Sequence, residues 1–286
     1  MDTVALKAPA KINLVLNVVN RRPDGYHEVR MVMQSIGLYD EITVSKSGDD
    51  RIVIESDAKG IPLNEDNLIY RAAALIRETC GIKDGVKITL KKNIPVAAGL
   101  AGGSTDAAAT LKGMNELFDL GLSEDKLCKA GVKIGADVPY CIMGGTALSE
   151  GIGEVLTPLK AIPECGVLIA KPGIDVSTGY VYKAFDSLKE KDHPDVDAML
   201  KAVDEGDIFA IADNLGNSLE GVTEAEYPVI GRIKESMIGA GALGSLMSGS
   251  GPTVFGLFKD RDAACRAADI VKETGMAKDI AVAGPV

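Results

Sequence analysis

Hydrophobic and polar positions alternate near the start of the chain, where Ile12, Leu14, Leu16 and Val18 interleave with Lys11, Asn13, Val15 and Asn17. A period of two predicts a strand and puts Lys11 and Asn13 on one face. The turn Arg22-Pro-Asp-Gly25 returns the chain into an apolar stretch over 29–36, and shorter strands are predicted over 41–44 and 51–55. The period then lengthens. Leu68, Ala72, Leu75 and Ile76 share one helical face, which predicts a helix over 66–80 with Gly81 as its stop. Val86, Ile88 and Leu90 mark another strand, and Ala108, Leu111, Met114 and Leu117 mark a second helix. A third helix begins near Ser123 and ends at Gly135.

The text changes near residue 160. A strand is predicted over 166–171, helices over 176–188, 194–203 and 208–215, and a further helix over 227–238. Strand, glycine loop and strand follow over 245–258, then a helix over 263–274 and a strand over 279–283. No repeat or low-complexity segment interrupts this order. The pattern is that of an α+β protein with helices on one face of an antiparallel sheet, divided near Leu159 into segments 1–159 and 160–286.

Between the strand at 86–90 and the helix that follows lies Pro95-Val-Ala-Ala-Gly-Leu-Ala-Gly-Gly-Ser-Thr-Asp106. Glycines at a helix start leave backbone N–H groups free, and together with the positive end of the helix dipole these favour a phosphate. Ser104 or Thr105 can add a hydroxyl or reach a metal. The lysine of a Walker A motif is missing, and a ligand-free strand-to-helix connection has the same composition. Methyl groups at Ala97, Ala98 and Ala101 narrow the backbone, so any of the three at positive φ carries strain. A second glycine loop, Met247-Ser-Gly-Ser-Gly-Pro-Thr-Val254, suits a backbone-rich site or a plain hairpin turn. Gly239-Ala-Gly-Ala-Leu-Gly244 spells G-x-G-x-x-G, but it follows a helix and precedes a strand, the reverse of a dinucleotide fingerprint.

Composition narrows the chemistry. With 286 residues and 46% hydrophobic content there is material for two full cores, and no apolar run approaches the ~18 residues of a membrane span. The N-terminus lacks the layout of a signal peptide, so a cytoplasmic protein with no membrane partner is expected. Five cysteines without a C-x-x-C pair read as reduced and mostly buried, and two histidines are too few for an ordinary zinc site. The net charge of −10 argues against nucleic acid but leaves room for an anionic small molecule in a local cationic pocket. Asp137, two residues past the helix-stopping Gly135, either faces a cleft or caps the next turn. Lys11, on a buried strand face, either has a carboxylate partner or snorkels at an edge.

Taken together, Ala8-Pro-Ala-Lys-Ile-Asn-Leu14, the loop at 95–106, Gly135-Ala-Asp-Val-Pro139 and the loop at 247–254 resemble the GHMP small-molecule kinases in motif order and spacing along essentially the whole chain. Arg22-Pro-Asp-Gly-Tyr-His-Glu28, Asp66-Asn67-Leu-Ile and Gly144-Gly-Thr-Ala-Leu-Ser-Glu-Gly-Ile-Gly-Glu154 narrow the resemblance to members acting on a cytidine-diphosphate-linked alcohol. The resemblance implies the GHMP kinase fold, with a ribosomal protein S5 domain 2-like ATP-binding domain over 1–159, a ferredoxin-like substrate domain over 160–286, and the active site in the cleft between them. It implies ATP as phosphoryl donor, Mg2+ with it, and a monomer or homodimer.

Residue by residue, the resemblance makes Asp137 the base and Lys11 its cationic partner, with Asn13 bonding substrate or the Asp. Pro95, Ala97, Ala98, Gly99, Leu100, Ala101, Gly102, Gly103, Ser104 and Thr105 would line the ATP phosphates, and Asn67 and Lys92 the adenine or ribose. A helix-capping Asn and a solvated Lys are the plainer alternatives for that last pair. Tyr26 and His27 offer an aromatic face and a hydrogen-bonding edge for cytosine, Tyr182 a second stacking face, and Thr178 a place in the same loop, with core packing the alternative for either tyrosine. Ser248, Gly249, Ser250 and Gly251 would pack near substrate and phosphates. Another GHMP kinase of mevalonate or homoserine type would keep Lys11, the loop and Asp137 but has no need of Tyr26, His27 and Tyr182, while a non-catalytic nucleotide-binding paralogue could dispense with Lys11 or Asp137.

Overall fold

Strands β1 (Thr3–Arg21) and β2 (His27–Lys46) are far longer than the alternation predicts, and the stretches expected separately over 29–36 and 41–44 form one strand. These and all following statements concern residues 2–286, the part described by a computed structural model of the chain. In β1 the period-two signal misleads because Lys11, Asn13 and Val15 are as buried as Ile12, Leu14 and Leu16. Both faces of that segment are covered, so its two polar residues belong to the interior.

Along the chain follow β3 (Ile52–Ser56), α1 (Leu68–Cys80), β4 (Val86–Lys91), α2 (Gly102–Leu117), α3 (Glu124–Val132) and α4 (Val138–Met143). Next come β5 (Thr146–Glu150), β6 (Val155–Pro158), β7 (Gly166–Lys171), α5 (Thr178–Asp186), α6 (Val196–Glu205), α7 (Ile208–Asp213) and β8 (Gly216–Asn217). The chain ends with α8 (Glu220–Glu226), α9 (Val229–Gly239), β9 (Gly244–Met247), β10 (Val254–Phe258), α10 (Arg261–Glu273) and β11 (Asp279–Ala283). The elements not foreseen are α4, β5, β6, β8 and α8, all short. Residues 239–244 are the expected helix-to-strand connection between α9 and β9.

Two compact units divide the described residues: 2–10, Tyr39–Val96 and Ala101–Gly144 in the first, and Lys11–Leu38, Ala97–Leu100 and Gly145–Val286 in the second. The Leu159 boundary falls inside the second unit. In the first unit β4 pairs antiparallel with the end of β2 (Glu41↔Lys91 through Lys46↔Val86) and parallel with β3. Val86, Ile88 and Leu90 point inward and Lys87, Thr89 and Lys91 outward, as an alternating strand should. The helix α1 buries Ile69, Ala72, Ala73 and Ile76, capped by Asn67 and stopped by Gly81 in the left-handed region. It packs on α2, whose Ala108, Leu111, Met114 and Leu117 are all buried.

The second unit holds an antiparallel sheet in the order β11-β7-β10-β9. With β7 first in sequence, β9 second, β10 third and β11 fourth, the order is that of a ferredoxin-like βαββαβ sheet. Every residue of the central strands β7 and β10 is buried, and α9 and α10 pack against them through Ile230, Ile233 and Met237 and through Ala264, Ala267 and Val271. The same unit contains β5, antiparallel to residues 31–34 of β2, and β8, parallel to Val15 and Leu16 of β1.

All five cysteines are free, but fewer are buried than expected. Cys141 and Cys165 are interior, Cys80 and Cys128 half-buried, and Cys265 exposed on α10. No helix among the described residues is long and apolar enough to cross a membrane.

Helix α10 seats on β7 at Gly166, where an added Cβ would lie 2.3 Å from the Asp260 carbonyl oxygen and 2.7 Å from the Ala264 methyl. Overpacking of this kind is expected to make Gly166→Ala less stable by about 1–3 kcal/mol. Gly221→Ala, with open space around it, should stay within about 0.5 kcal/mol of the parent. Urea unfolding of both variants checks the pair, and equal midpoints would contradict the close seating.

Candidate active site

The loop from β4 to α2 turns through three residues at positive φ: Ala97 at 50°, Gly99 at 70° and Ala101 at 57°. Two of the three alanines whose methyls narrow the backbone therefore occupy the left-handed region, at about 1 kcal/mol or more each, and only Ala98 escapes it. Ala101 is the N-cap of α2 and offers no side-chain acceptor, so no side chain caps the first N–H groups of that helix. Thr105 donates its own N–H to the Ala101 carbonyl at 2.9 Å, yet its buried hydroxyl has no hydrogen-bond partner. Gly103 is exposed, and a Cβ there would touch only the Leu68 side chain at 3.7 Å. An uncapped helix start and an unobstructed, exposed glycine are features that suit an incoming phosphate.

Lys92 and Asn67 have local roles. Lys92 is not solvated: its side chain is 8% exposed, and its ammonium donates to Asp106 at 2.8 Å and to Asp40 at a still shorter distance. Asp40 is held in turn by the backbone N–H groups of Asn93 and Ile94 at 2.6 and 2.8 Å. Burial pushes the Asp106 carboxyl up to about 7, against the pull of Lys92 and with a further push from Asp40. Asn67 accepts from the Ile69 N–H and donates to the Pro62 carbonyl, so both ends of its amide serve the start of α1.

In the second unit, three sequence motifs converge on one oxygen. The Gly99 carbonyl accepts from the Lys11 ammonium at 3.0 Å and from the Ser248 hydroxyl at 3.0 Å. Lys11 also donates to Asn13 at 2.7 Å, which accounts for two buried polar residues on one strand face. A side chain at Gly99 would collide with the Ser248 carbonyl at 2.2 Å. The turn at 248–253 joins β9 to β10, contains a cis Gly251–Pro252 bond, and is pinned by Asn217, whose amide donates to the carbonyls of Met247 and Gly249. Ser250 and Thr178 share a hydroxyl–hydroxyl bond of 2.9 Å, which ties the start of α5 to this loop.

The aromatic residues separate. Tyr26 is 59% exposed, whereas His27 lies against Tyr182 with ring centroids 4.6 Å apart and planes tilted by 33°. The His27 Nε2 is 2.8 Å from an Asp186 carboxylate oxygen. Asp137 belongs to the first unit, half-buried at the N-cap position of α4, and its side chain makes no capping hydrogen bond. Of the residues not singled out beforehand, Asp186 stands four positions after Tyr182 on one helix, a spacing that could have revealed it. Asp106 ended the glycine loop, while Asp40 and Asn217 carried no local signal.

Among the described residues no three His, Cys, Asp or Glu side chains gather as a metal-holding group. Two family profiles match the chain, GHMP kinases N terminal domain over residues 67–145 and GHMP kinases C terminal over 199–276. A 4-diphosphocytidyl-2-C-methyl-D-erythritol kinase of Caldicellulosiruptor saccharolyticus is 53% identical over 267 residues, covering 93% of this chain and 92% of its own. The enzyme of that name from a Geobacillus species is 54% identical over 252 residues, 88% of this chain and 87% of its own. A crystal structure of 4-(cytidine 5'-diphospho)-2C-methyl-D-erythritol kinase superposes with a TM-score of 0.84 at 34% identity over 99% of both chains. L. major mevalonate kinase in complex with R-mevalonate shares the fold, with a TM-score of 0.80 at 17% identity over 99% of this chain and 95% of its own.

The Asp106 carboxyl supplies a test of the buried Lys92 cluster. Its folded value of about 7 lies above the ordinary 3.8, so between those limits the folded protein binds a proton that the unfolded chain does not. Its contribution to stability is therefore present at low pH and lost as pH rises towards 7. Urea unfolding from pH 4.5 to 7.5 should show the stability difference between parent and Asp106→Asn shifting in favour of the variant as pH rises. A difference independent of pH would refute the assignment.

Proposed function

The chain belongs to the GHMP kinase family, and from that premise we propose that it transfers the terminal phosphoryl group of ATP to the 2-hydroxyl of 4-diphosphocytidyl-2-C-methyl-D-erythritol. The products are the 2-phosphate and ADP, a step of the non-mevalonate route to isoprenoid precursors. The observation that carries this reading is the identity of 53% across 93% of the chain with an enzyme of that name. We place the protein in the cytoplasm as a monomer or homodimer, with the glycine loop at 95–106 serving the nucleotide and residues from both sides of Leu159, Tyr26 and His27 with Thr178 and Tyr182, serving the substrate.

Phosphoryl transfer asks a protein for positioning and charge neutralisation more than for covalent chemistry. In this reading the substrate hydroxyl oxygen attacks the terminal phosphorus, the bond from phosphorus to the bridging oxygen breaks, and the hydroxyl proton passes to the Asp137 carboxylate. Support for that role comes from the uncommitted position of Asp137, which occupies a cap site without using its side chain to cap. Lys11 supplies a fixed positive charge, and Asn13 and Gly99 orient it. The open start of α2, with Gly102, Gly103 and Ser104, receives phosphate oxygens through backbone N–H groups. Mg2+ bound with ATP would neutralise phosphate charge, and the unpaired Thr105 hydroxyl and its neighbour Ser104 suit an ion that keeps water and phosphate as most of its ligands. Tyr26, His27, Tyr182 and Thr178 serve the cytidine end. Asn67 and Lys92 support the adenine side indirectly, by fixing the start of α1 and the floor beneath Gly102, where an added Cβ would meet the Lys92 nitrogen at 2.9 Å.

Coupled ADP-release assays over a panel of alcohols test the substrate assignment. The cytidyl alcohol should be turned over while mevalonate and homoserine are not. Tyr182→Leu should raise KM for the cytidyl substrate by the equivalent of about 1–3 kcal/mol of lost base stacking, with KM for ATP little changed. Phosphorylation of mevalonate or homoserine in its place would replace this reading by that of a generic family kinase.

The base is tested separately. Asp137→Asn should lower kcat about 100-fold or more while KM for ATP moves far less, because the lost interaction is made with the reacting hydroxyl. Near-parental turnover in that variant would remove Asp137 from the mechanism.

A further inference from the structure

His27 has two ring nitrogens, and the structure distinguishes them. Nε2 faces the Asp186 carboxylate at 2.8 Å, while Nδ1 has no hydrogen-bond partner among the described residues. An ionised carboxylate only accepts, so the nitrogen facing it carries the hydrogen, and in a neutral imidazole the other nitrogen is then a lone-pair acceptor. The two side chains are mostly shielded, at 11% and 23% exposure. Among the described residues the other ion pair of Asp186 is with Arg21, 64% exposed and 3.7 Å from the second carboxylate oxygen, a solvated contact of little worth. Tyr182 and Asp186, one helical turn apart on α5, present the imidazole with a ring to lie on and an acceptor to point at.

Building on the cytidine reading above, we propose that Asp186 is a positioning residue for base selection: by accepting the Nε2–H of His27 it leaves Nδ1 as the acceptor that meets the exocyclic amine of cytosine. Uracil offers a carbonyl oxygen at the same place, and two acceptors facing each other leave both unpaired. Specificity built this way rests on the cost of an unmade hydrogen bond, which discriminates better than the shape of an apolar slot.

Calorimetric titration with CDP and UDP tests it in the intact protein. The parent should prefer CDP, and Asp186→Ala should reduce the CDP-to-UDP affinity ratio about 10-fold, the worth of one well-made hydrogen bond. Asp186→Asn should reduce it less, because an amide can accept from Nε2–H or donate to a bare Nε2 and so releases the tautomer without removing the contact. With the cytidyl alcohol the loss should appear in substrate KM and not in KM for ATP. Long-range 15N–1H correlation reads the tautomer directly. The chain has two histidines, and His193, whose Nδ1 lies 2.9 Å from the Asn17 amide oxygen, is the internal reference. Neutral His27 should be protonated on Nε2 in the parent and mixed in Asp186→Asn. An Nδ1-protonated His27 in the parent, or an unchanged CDP-to-UDP ratio in Asp186→Ala, overturns the inference while leaving the cytidine reading intact. Parent protein that binds neither nucleotide overturns both.

Discussion

One carbonyl oxygen, that of Gly99, holds three sequence motifs of the second unit in register. Two donors from distant parts of the sequence, the Lys11 ammonium and the Ser248 hydroxyl, meet there at 3.0 Å each. Both lone pairs are used, and the α-carbon that carries the carbonyl sits too close to the Ser248 backbone to accept any side chain. The arrangement explains why the neighbouring backbone can stay strained. Ala97 and Ala101 flank this anchor in the left-handed region, a conformation that relaxes unless its surroundings over-determine it. The anchor also constrains Lys11, whose ammonium cannot swing away without leaving the buried Asn13 amide oxygen unpaired and the Gly99 carbonyl with Ser248 alone.

A chain of net charge −10 binds polyanions in this reading by keeping its useful cations inside. Lys11 is 5% exposed and Lys92 has an 8% exposed side chain, each oriented by several acceptors. A buried ion cluster contributes little net stability, since desolvation offsets most of the attraction, but it fixes geometry. Lys92 with Asp40 and Asp106 carries two carboxylates against one ammonium, and the raised Asp106 value relieves the excess negative charge below neutral pH. Where a Walker motif extends a flexible lysine over the phosphates, the proposed phosphate loop offers backbone N–H groups above a rigid charged floor.

Elements with a clear local pattern were legible in the sequence, short ones included. Strand β7 and strand β11 lie where the pattern put them, α1 starts one residue after its Asn67 cap, and the glycine loop ends in a helix as its composition required. The length of β1 was not legible, because alternation assumes one wet face and residues 10–16 have none. Lys11 and Asn13 could be placed on one face from spacing alone, whereas their shared contact with Gly99 depends on a loop 88 residues away. The strain at Ala97 and Ala101 could be anticipated as a conditional, since a methyl group is a local fact and φ is not. Asp40, paired with a lysine 52 residues later, left no trace in either neighbourhood. Lys92 shows the limit of polarity as a guide to exposure, because a lysine with two carboxylate partners is as much an interior residue as a leucine.

The distribution of thiols has a practical consequence. Burial pushes the Cys165 thiol up to about 12 and raises Cys128 as well, and Cys141 is enclosed, whereas Cys265 stands exposed on α10. Thiolate character and access together set the rate of alkylation. A fluorescent maleimide under mild conditions thus has a preferred point of attachment on α10, at the one exposed thiol of the five. The unaltered protein already carries a handle for optical spectroscopy, without the cysteine-stripped background such work ordinarily demands.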